Sequence, residues 1–174
     1  MKRWQVKSDY IDEVVSEWNK EMPELDTWGL EIGGRIVVLD RHLERRAERY
    51  LAEHDLQIWG FDVLSSLLRS GPPYAQTPKQ LMRNCFLSSG AVSNRLKRLE
   101  ARKLIYRVPS EIDKRSHQAA LTQEGLELAR KAIKGRVEFM TSFFEAFPTK
   151  EEKQKVADLL KKFLVYVQEL EDWE

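Results

Sequence analysis

The sequence predicts a mainly α-helical fold carrying one small β-hairpin, and three observations predict it. Apolar residues recur at helical spacing over most of the 174 residues. Capping residues and helix-ending Gly or Pro cut that pattern into seven segments. Only once, at Leu104-Ile105-Tyr106-Arg107-Val108, does the chain switch to a β-branched and aromatic run.

Each element has its own local reason. Behind Ser8, the spacing of Ile11, Val14, Val15, Trp18 and Met22 predicts a short first helix that Pro23 closes. A long helix is expected from about Thr27 to Glu53. Its stripe of Ile32, Ile36, Leu39, Leu43, Ala47 and Tyr50 steps by fours and threes, the seam one helix offers another. Phe61, Leu64, Leu67 and Leu68 predict a third helix, ended by Gly71-Pro72-Pro73. Thr77-Pro78-Lys79-Gln80 combines a cap, a proline suited to the first turn and a capping-box glutamine, opening a short helix to about Cys85. Ser88 caps the next helix, whose Val92, Leu96 and Leu99 face inward. The strand at 104–108 is expected to stop at Pro109 and to return through His117-Gln118-Ala119-Ala120-Leu121 after a polar tip. Thr122 then caps a helix bearing Leu126, Ala129, Ile133, Val137, Met140 and Phe144, which Pro148 breaks. Thr149-Lys150-Glu151-Glu152 is a second capping box, before a last stripe from Val156 to Leu170.

Composition narrows the function. No apolar run approaches the ~20 residues of a membrane span, and the opening MKRWQVKSDY lacks a signal-peptide core, so a cytoplasmic protein is expected. One cysteine, Cys85, and three scattered histidines give neither a disulfide framework nor zinc-ligand spacing. No phosphate loop or nucleophile elbow appears, so neither an enzyme nor a bound cofactor is expected. The net charge of +1 hides a strong asymmetry. From Thr77 to Gln118, ten Lys or Arg stand against three Asp or Glu, while the remainder holds 19 basic and 25 acidic residues. Like charge concentrated in this way suits a polyanionic partner.

Helix, tight turn, helix and hairpin in that order predict a winged helix-turn-helix, whose second helix enters a major groove of double-stranded DNA. With Val92, Leu96 and Leu99 inward, the opposite face presents Ser89, Gly90, Ser93, Asn94, Lys97 and Arg98. Ser and Asn bond base edges or phosphates, Lys and Arg neutralise phosphates, and Gly90 permits close approach. Asn94 and Arg98 are the expected base readers. At the hairpin tip Arg115, with Lys114 beside it and Asp113 holding its guanidinium, suits the negative potential of a narrow minor groove. The long helices at both ends, 8–53 and 123–172, are expected to pair two chains around lobes spanning 57–121, within a single domain of 1–174. Such a homodimer requires a palindromic operator.

The stretch TPKQLMRNCFLSSGAVSNRLKRLEARKLIYRVPSEIDKRSHQAALTQEG, Thr77 to Gly125, resembles the MarR family of bacterial regulators. The shared features are the helix start, the SSGAVSNRLKRLE helix, the strand ending in Arg107, the Asp-x-Arg tip and the Leu-Thr-x-x-Gly that follows. Lys103 stands where the family usually has glycine, which implies modest strain or a different exit from the helix. The resemblance implies a dimeric transcriptional regulator, commonly a repressor, released by a small molecule in a crevice beside the DNA-binding lobe. The opening VVSEWNKEMPELD resembles the extra first helix of the urate-responsive branch. In that branch a Trp of this helix, an Asp and lobe arginines hold an anion. The corresponding candidates are Trp18, Asp62, Arg69, Arg95 and Arg107. Two other readings stay open: a winged-helix adaptor that binds protein, and a redox-sensing regulator using Cys85.

Overall fold

In the computed structural model, described over residues 7–109 and 117–170, seven helices and the two strands of the hairpin follow the expected order, and a third short strand joins them. Helix α1 (Tyr10–Glu21) begins one residue later than the sequence suggests. Asp9, rather than Ser8, is its cap, because the Asp9 carboxylate accepts from the amides of Ile11 and Asp12 while Asp12 reaches back to the Asp9 amide. Helix α2 (Trp28–Ala52) follows, and the two are clipped together where Arg35 bonds the carboxylates of both Asp9 and Asp12. Ile11, buried on this contact, lies against Gly34, where a Cβ would come within 2.9 Å of its methyl.

The lobe is built from α3 (Ile58–Arg69), α4 (Pro78–Asn84), α5 (Ser89–Ala101) and a three-stranded antiparallel sheet. That sheet has the order β1 (Ala75–Gln76), β3 (His117–Leu121), β2 (Ile105–Pro109). Strand β1 was not foreseen. Two residues are too few to carry an alternating pattern, and only their pairing with Ala119 and Ala120 makes them a strand. Pro109 is the last residue of β2, on the outermost rung among the described residues, opposite His117. At the other end, Leu104 belongs to the helix exit and β2 starts at Ile105.

The core of the lobe joins Leu51 and Leu56 to Val63, Leu64 and Leu67 of α3, Leu81 of α4, Val92, Leu96 and Leu99 of α5, and Ile105 and Leu121 of the sheet. It holds one buried polar knot. Gln76 accepts from the Ser66 hydroxyl and the Asn84 amide and donates to the Ser66 carbonyl, tying α3, β1 and α4 together.

Three helix exits share one device. After α2, α4 and α5, an amide bonds back to a carbonyl five residues earlier: Leu56 to Leu51, Leu87 to Met82, and Leu104 to Leu99. This closure needs a left-handed residue just before the donor, usually glycine. Here Asp55 (φ 50°), Phe86 (φ 52°) and Lys103 (φ 59°) take that place. The strain anticipated at Lys103 is therefore present, and the exit is the ordinary one.

Helix α6 (Gln123–Phe143) starts at Thr122, whose hydroxyl accepts from the Gly125 amide and donates to the Lys103 carbonyl. Gly125 packs so tightly on Leu104 that an added Cβ would fall on its carbonyl oxygen. By packing, the chain divides into a unit within Val6–Arg136 and another from Val137 on, the boundary falling inside α6. The second unit holds the end of α6, a 3-10 turn at Phe144–Ala146 and α7 (Lys150–Leu170). Its α7 opens with the expected Thr149–Glu152 capping box.

Large apolar side chains lie exposed on α2 and α7. On α2 they are Trp28, Leu30, Ile32, Ile36, Val37 and Leu39, and on α7 they include Leu159, Phe163, Leu164 and Leu170. Among the described residues, no helix is long and apolar enough to cross a membrane, and no group of side chains could hold a metal ion.

Candidate nucleic-acid interface and adjoining cleft

Helix α5 is set by its inward stripe. Val92, Leu96 and Leu99 are buried in the lobe core, and Ser88 caps the first turn by accepting from the Ala91 amide. The rotation left over exposes Ser89, Gly90, Ser93, Asn94, Lys97 and Arg98, all six of the α5 residues expected to face DNA. Open space around the Gly90 α-carbon leaves its backbone accessible to a close approach. Asp113, Lys114 and Arg115 lie outside the described residues.

Arg98 is not simply extended into solvent. Its guanidinium lies over the indole of Trp59 on α3, 4.6 Å from the ring centroid. The indole is fixed in turn, its N–H donating to the Gln57 side chain. Next to this stack Arg102 pairs with Asp55 at 2.9 Å. Sequence reasoning missed Trp59, because residues 59 and 98 meet only through the packing of α3 on α5.

The five residues considered for an anion site are divided by the fold. Asp62 and Arg69 line one cleft of about 490 Å³ between α3 and the α4–α5 turn, together with Ser65, Asn84 and Cys85. Arg95, half-buried on α5, is close enough to draw the Asp62 carboxyl downward. Burial outweighs that attraction, and Asp62 sits above the usual aspartate range despite Arg95 and Arg136. Arg107 lies elsewhere, paired with Glu100 of α5 at 3.1 Å. Trp18, on α1, is not among the residues lining the cleft.

Arg136 is a participant that sequence reasoning passed over. It lies one turn beyond Ile133 on the inward side of α6, and with Asp62 it lines a second, smaller cleft against α2. Burial lowers its affinity for a proton, and Asp62 partly restores it. An arginine falling within an apolar stripe was the available signal. Cys85 is half-buried, and its thiol points to the Asp62 carbonyl at 3.6 Å. Burial pushes that thiol upward, away from the reactive thiolate.

A helix-turn-helix packed on a small antiparallel sheet, with a polar and basic face on its second helix, defines a winged-helix protein. Residues 54–116 match the family model described as the MarR family. Over 150 residues the chain is 29% identical to the HTH-type transcriptional regulator PecS of Dickeya dadantii, covering 86% of this chain and 90% of PecS. Among solved structures, AbsC, a MarR family transcriptional regulator from Streptomyces coelicolor, superposes with a TM-score of 0.71 at 22% identity. It covers 83% of this chain and 98% of its own. A mutant MarR from E. coli complexed with operator DNA superposes with a TM-score of 0.66 at 24% identity, covering 90% and 99%. At these identities the structures establish a shared fold.

Proposed function

We propose that the chain is a MarR-type transcriptional regulator that binds a palindromic double-stranded DNA operator as a homodimer and acts as a repressor. One observation carries the reading: the face of α5 turned away from the core exposes Ser89, Gly90, Ser93, Asn94, Lys97 and Arg98 together, inside the most basic segment of the chain. A protein-binding adaptor has no use for that concentration of cation and amide. Both the likeness to PecS and the fold shared with operator-bound MarR support it.

A small planar or carboxylate-bearing anion is the proposed signal, as in the urate-responsive branch that the opening of the chain resembles. The cleft beside Asp62, Arg69 and Arg95 is its candidate seat, because an arginine fork gives such an anion two parallel hydrogen bonds. Repulsion by Asp62 would couple occupancy to a shift of α5. An anion favouring the DNA-free form ~100-fold weakens operator binding by about 2.7 kcal/mol, comparable to one or two lost base contacts.

Selection of bound sequences from random duplexes, followed by titration of salt and then of urate, citrate and simple phenolic acids, tests both parts. Regulator function requires an enriched palindrome whose affinity falls steeply with salt. If no palindrome is enriched, the DNA reading fails. If an operator emerges but none of these anions weakens it, the effector reading fails alone. Trp18→Phe and Arg69→Ala then report which residues the responding anion uses.

A further inference from the structure

Resting on the DNA-binding reading, we infer that Trp59 is a positioning residue for DNA binding and that Arg98, stacked on it, contacts a phosphate rather than a base. Position and packing lead separately to this assignment. Arg98 is the tenth of the thirteen residues of α5. Base edges are met chiefly by the N-terminal part of a recognition helix, whereas its later turns leave the groove floor and pass the backbone. Asn94 lies one turn earlier, on the same exposed face.

The packing then limits where Arg98 reaches. A free arginine samples many rotamers and loses that freedom when it binds. Here the guanidinium lies 4.6 Å from the Trp59 ring centroid, drawn to the negative face of the indole. Gln57 accepts the indole N–H and sets the ring. One face of the cation is covered by carbon, which leaves its N–H edge for hydrogen bonding. An edge held beside α3, on a late turn of α5, suits an oxygen on the strand that borders the groove. Asp55 engages Arg102, the neighbouring cation, at 2.9 Å, so the acid in this corner already has a partner other than Arg98.

Asn94 and Arg98, both expected from the sequence to read bases, then have different tasks. Asn94 determines which sequence is bound. Arg98 determines how strongly any sequence is bound, and Trp59 acts through Arg98.

A double-mutant cycle tests this, using Arg98→Ala, Trp59→Leu and the pair. Each is titrated with a duplex selected by the parent protein and with a mixed-sequence duplex, at several salt concentrations. Arg98→Ala is expected to weaken both duplexes to a similar degree and to reduce the salt slope by about two, one for each protomer of the pair. Trp59→Leu is expected to weaken both by about two- to fivefold per protomer, the scale of one exposed cation–π contact. The pair is expected to be no weaker than Arg98→Ala alone. Trp59→Phe keeps an aromatic face and should fall between parent and Trp59→Leu, which separates stacking from a packing defect. Independent losses in the cycle, or equal losses for Phe and Leu, overturn the role of Trp59. Loss confined to the selected duplex makes Arg98 a base reader and overturns the phosphate assignment. A parent protein that binds neither duplex at low salt overturns the DNA reading itself.

Discussion

Lys103 combines two opposing demands on a single residue. The exit from α5 closes through the Leu104 amide and the Leu99 carbonyl, and that closure places Lys103 at φ 59°. Glycine takes this conformation without a Cβ clash, though it loses more freedom on folding. The balance favours glycine, and Lys103→Gly is expected to stabilise the chain by about 0.5–1 kcal/mol, seen as a higher urea midpoint with an unchanged slope. Asp62 makes the opposite case, a residue costly to the fold at neutral pH. Desolvation raises its carboxyl, with Arg95 and Arg136 only partly countering it. The folded chain therefore keeps this proton at pH values where the unfolded chain has lost it. Stability contributed through Asp62 is complete below the unfolded value, about 3.9, and declines as pH rises through the folded one. Asp62→Asn is accordingly expected to melt higher than the parent at pH 7, the gap closing as pH falls below 4. A parent that gains on the variant between pH 4 and 7 contradicts this. An acid kept at such a cost, in a cleft, suits a functional role.

Among the elements, those with chemical punctuation were the ones legible in advance. The capping boxes of α4 and α7 and the serine cap of α5 were read correctly because each depends on residues three apart or closer. The exposed face of α5 followed equally directly, since three buried residues determine the rotation of a helix. What could not be read depended on distant chain segments meeting. Strand β1 exists only through β3, Trp59 meets Arg98 only through the packing of α3 on α5, and Arg107 turned out to serve Glu100. In α1 the cap is local, although Asp9 rather than Ser8 supplies it, and its attachment to α2 depends on Arg35, on the Asp9 and Asp12 carboxylates it bonds, and on Ile11 over Gly34. Arg35 also holds the Asp9 carboxyl below its ordinary range. Arg35→Ala is expected to speed amide exchange across Tyr10–Glu21 while leaving that of Val63, Leu64 and Leu67 unchanged. Equal acceleration in both regions would mean that α1 is integral to the lobe's stability. At the reading element, Asn94→Ala is expected to relax base preference at one position of each half-site, by about 1–3 kcal/mol, measured on single-base operator variants.

For the molecule as a whole, the apolar faces of α2 and α7 dominate the account. The proposed pairing accounts for side chains such as Trp28 at 65% and Leu159 at 68% exposure, because large bare apolar patches mark contact surfaces. Sedimentation at micromolar concentration is expected to show a two-chain species with no folded single chain, and Ile36→Glu with Leu164→Glu to abolish it. The operator of such a pair has half-sites about one helical turn apart. Pairing of this kind also makes abundance a signal. While chains are scarce, the population of pairs grows with the square of chain number, so halving synthesis removes roughly three quarters of the molecules able to grip an operator. Under the proposed pairing and repression, such a regulator would release its genes more steeply than in proportion as dilution lowers chain number, even with no ligand present.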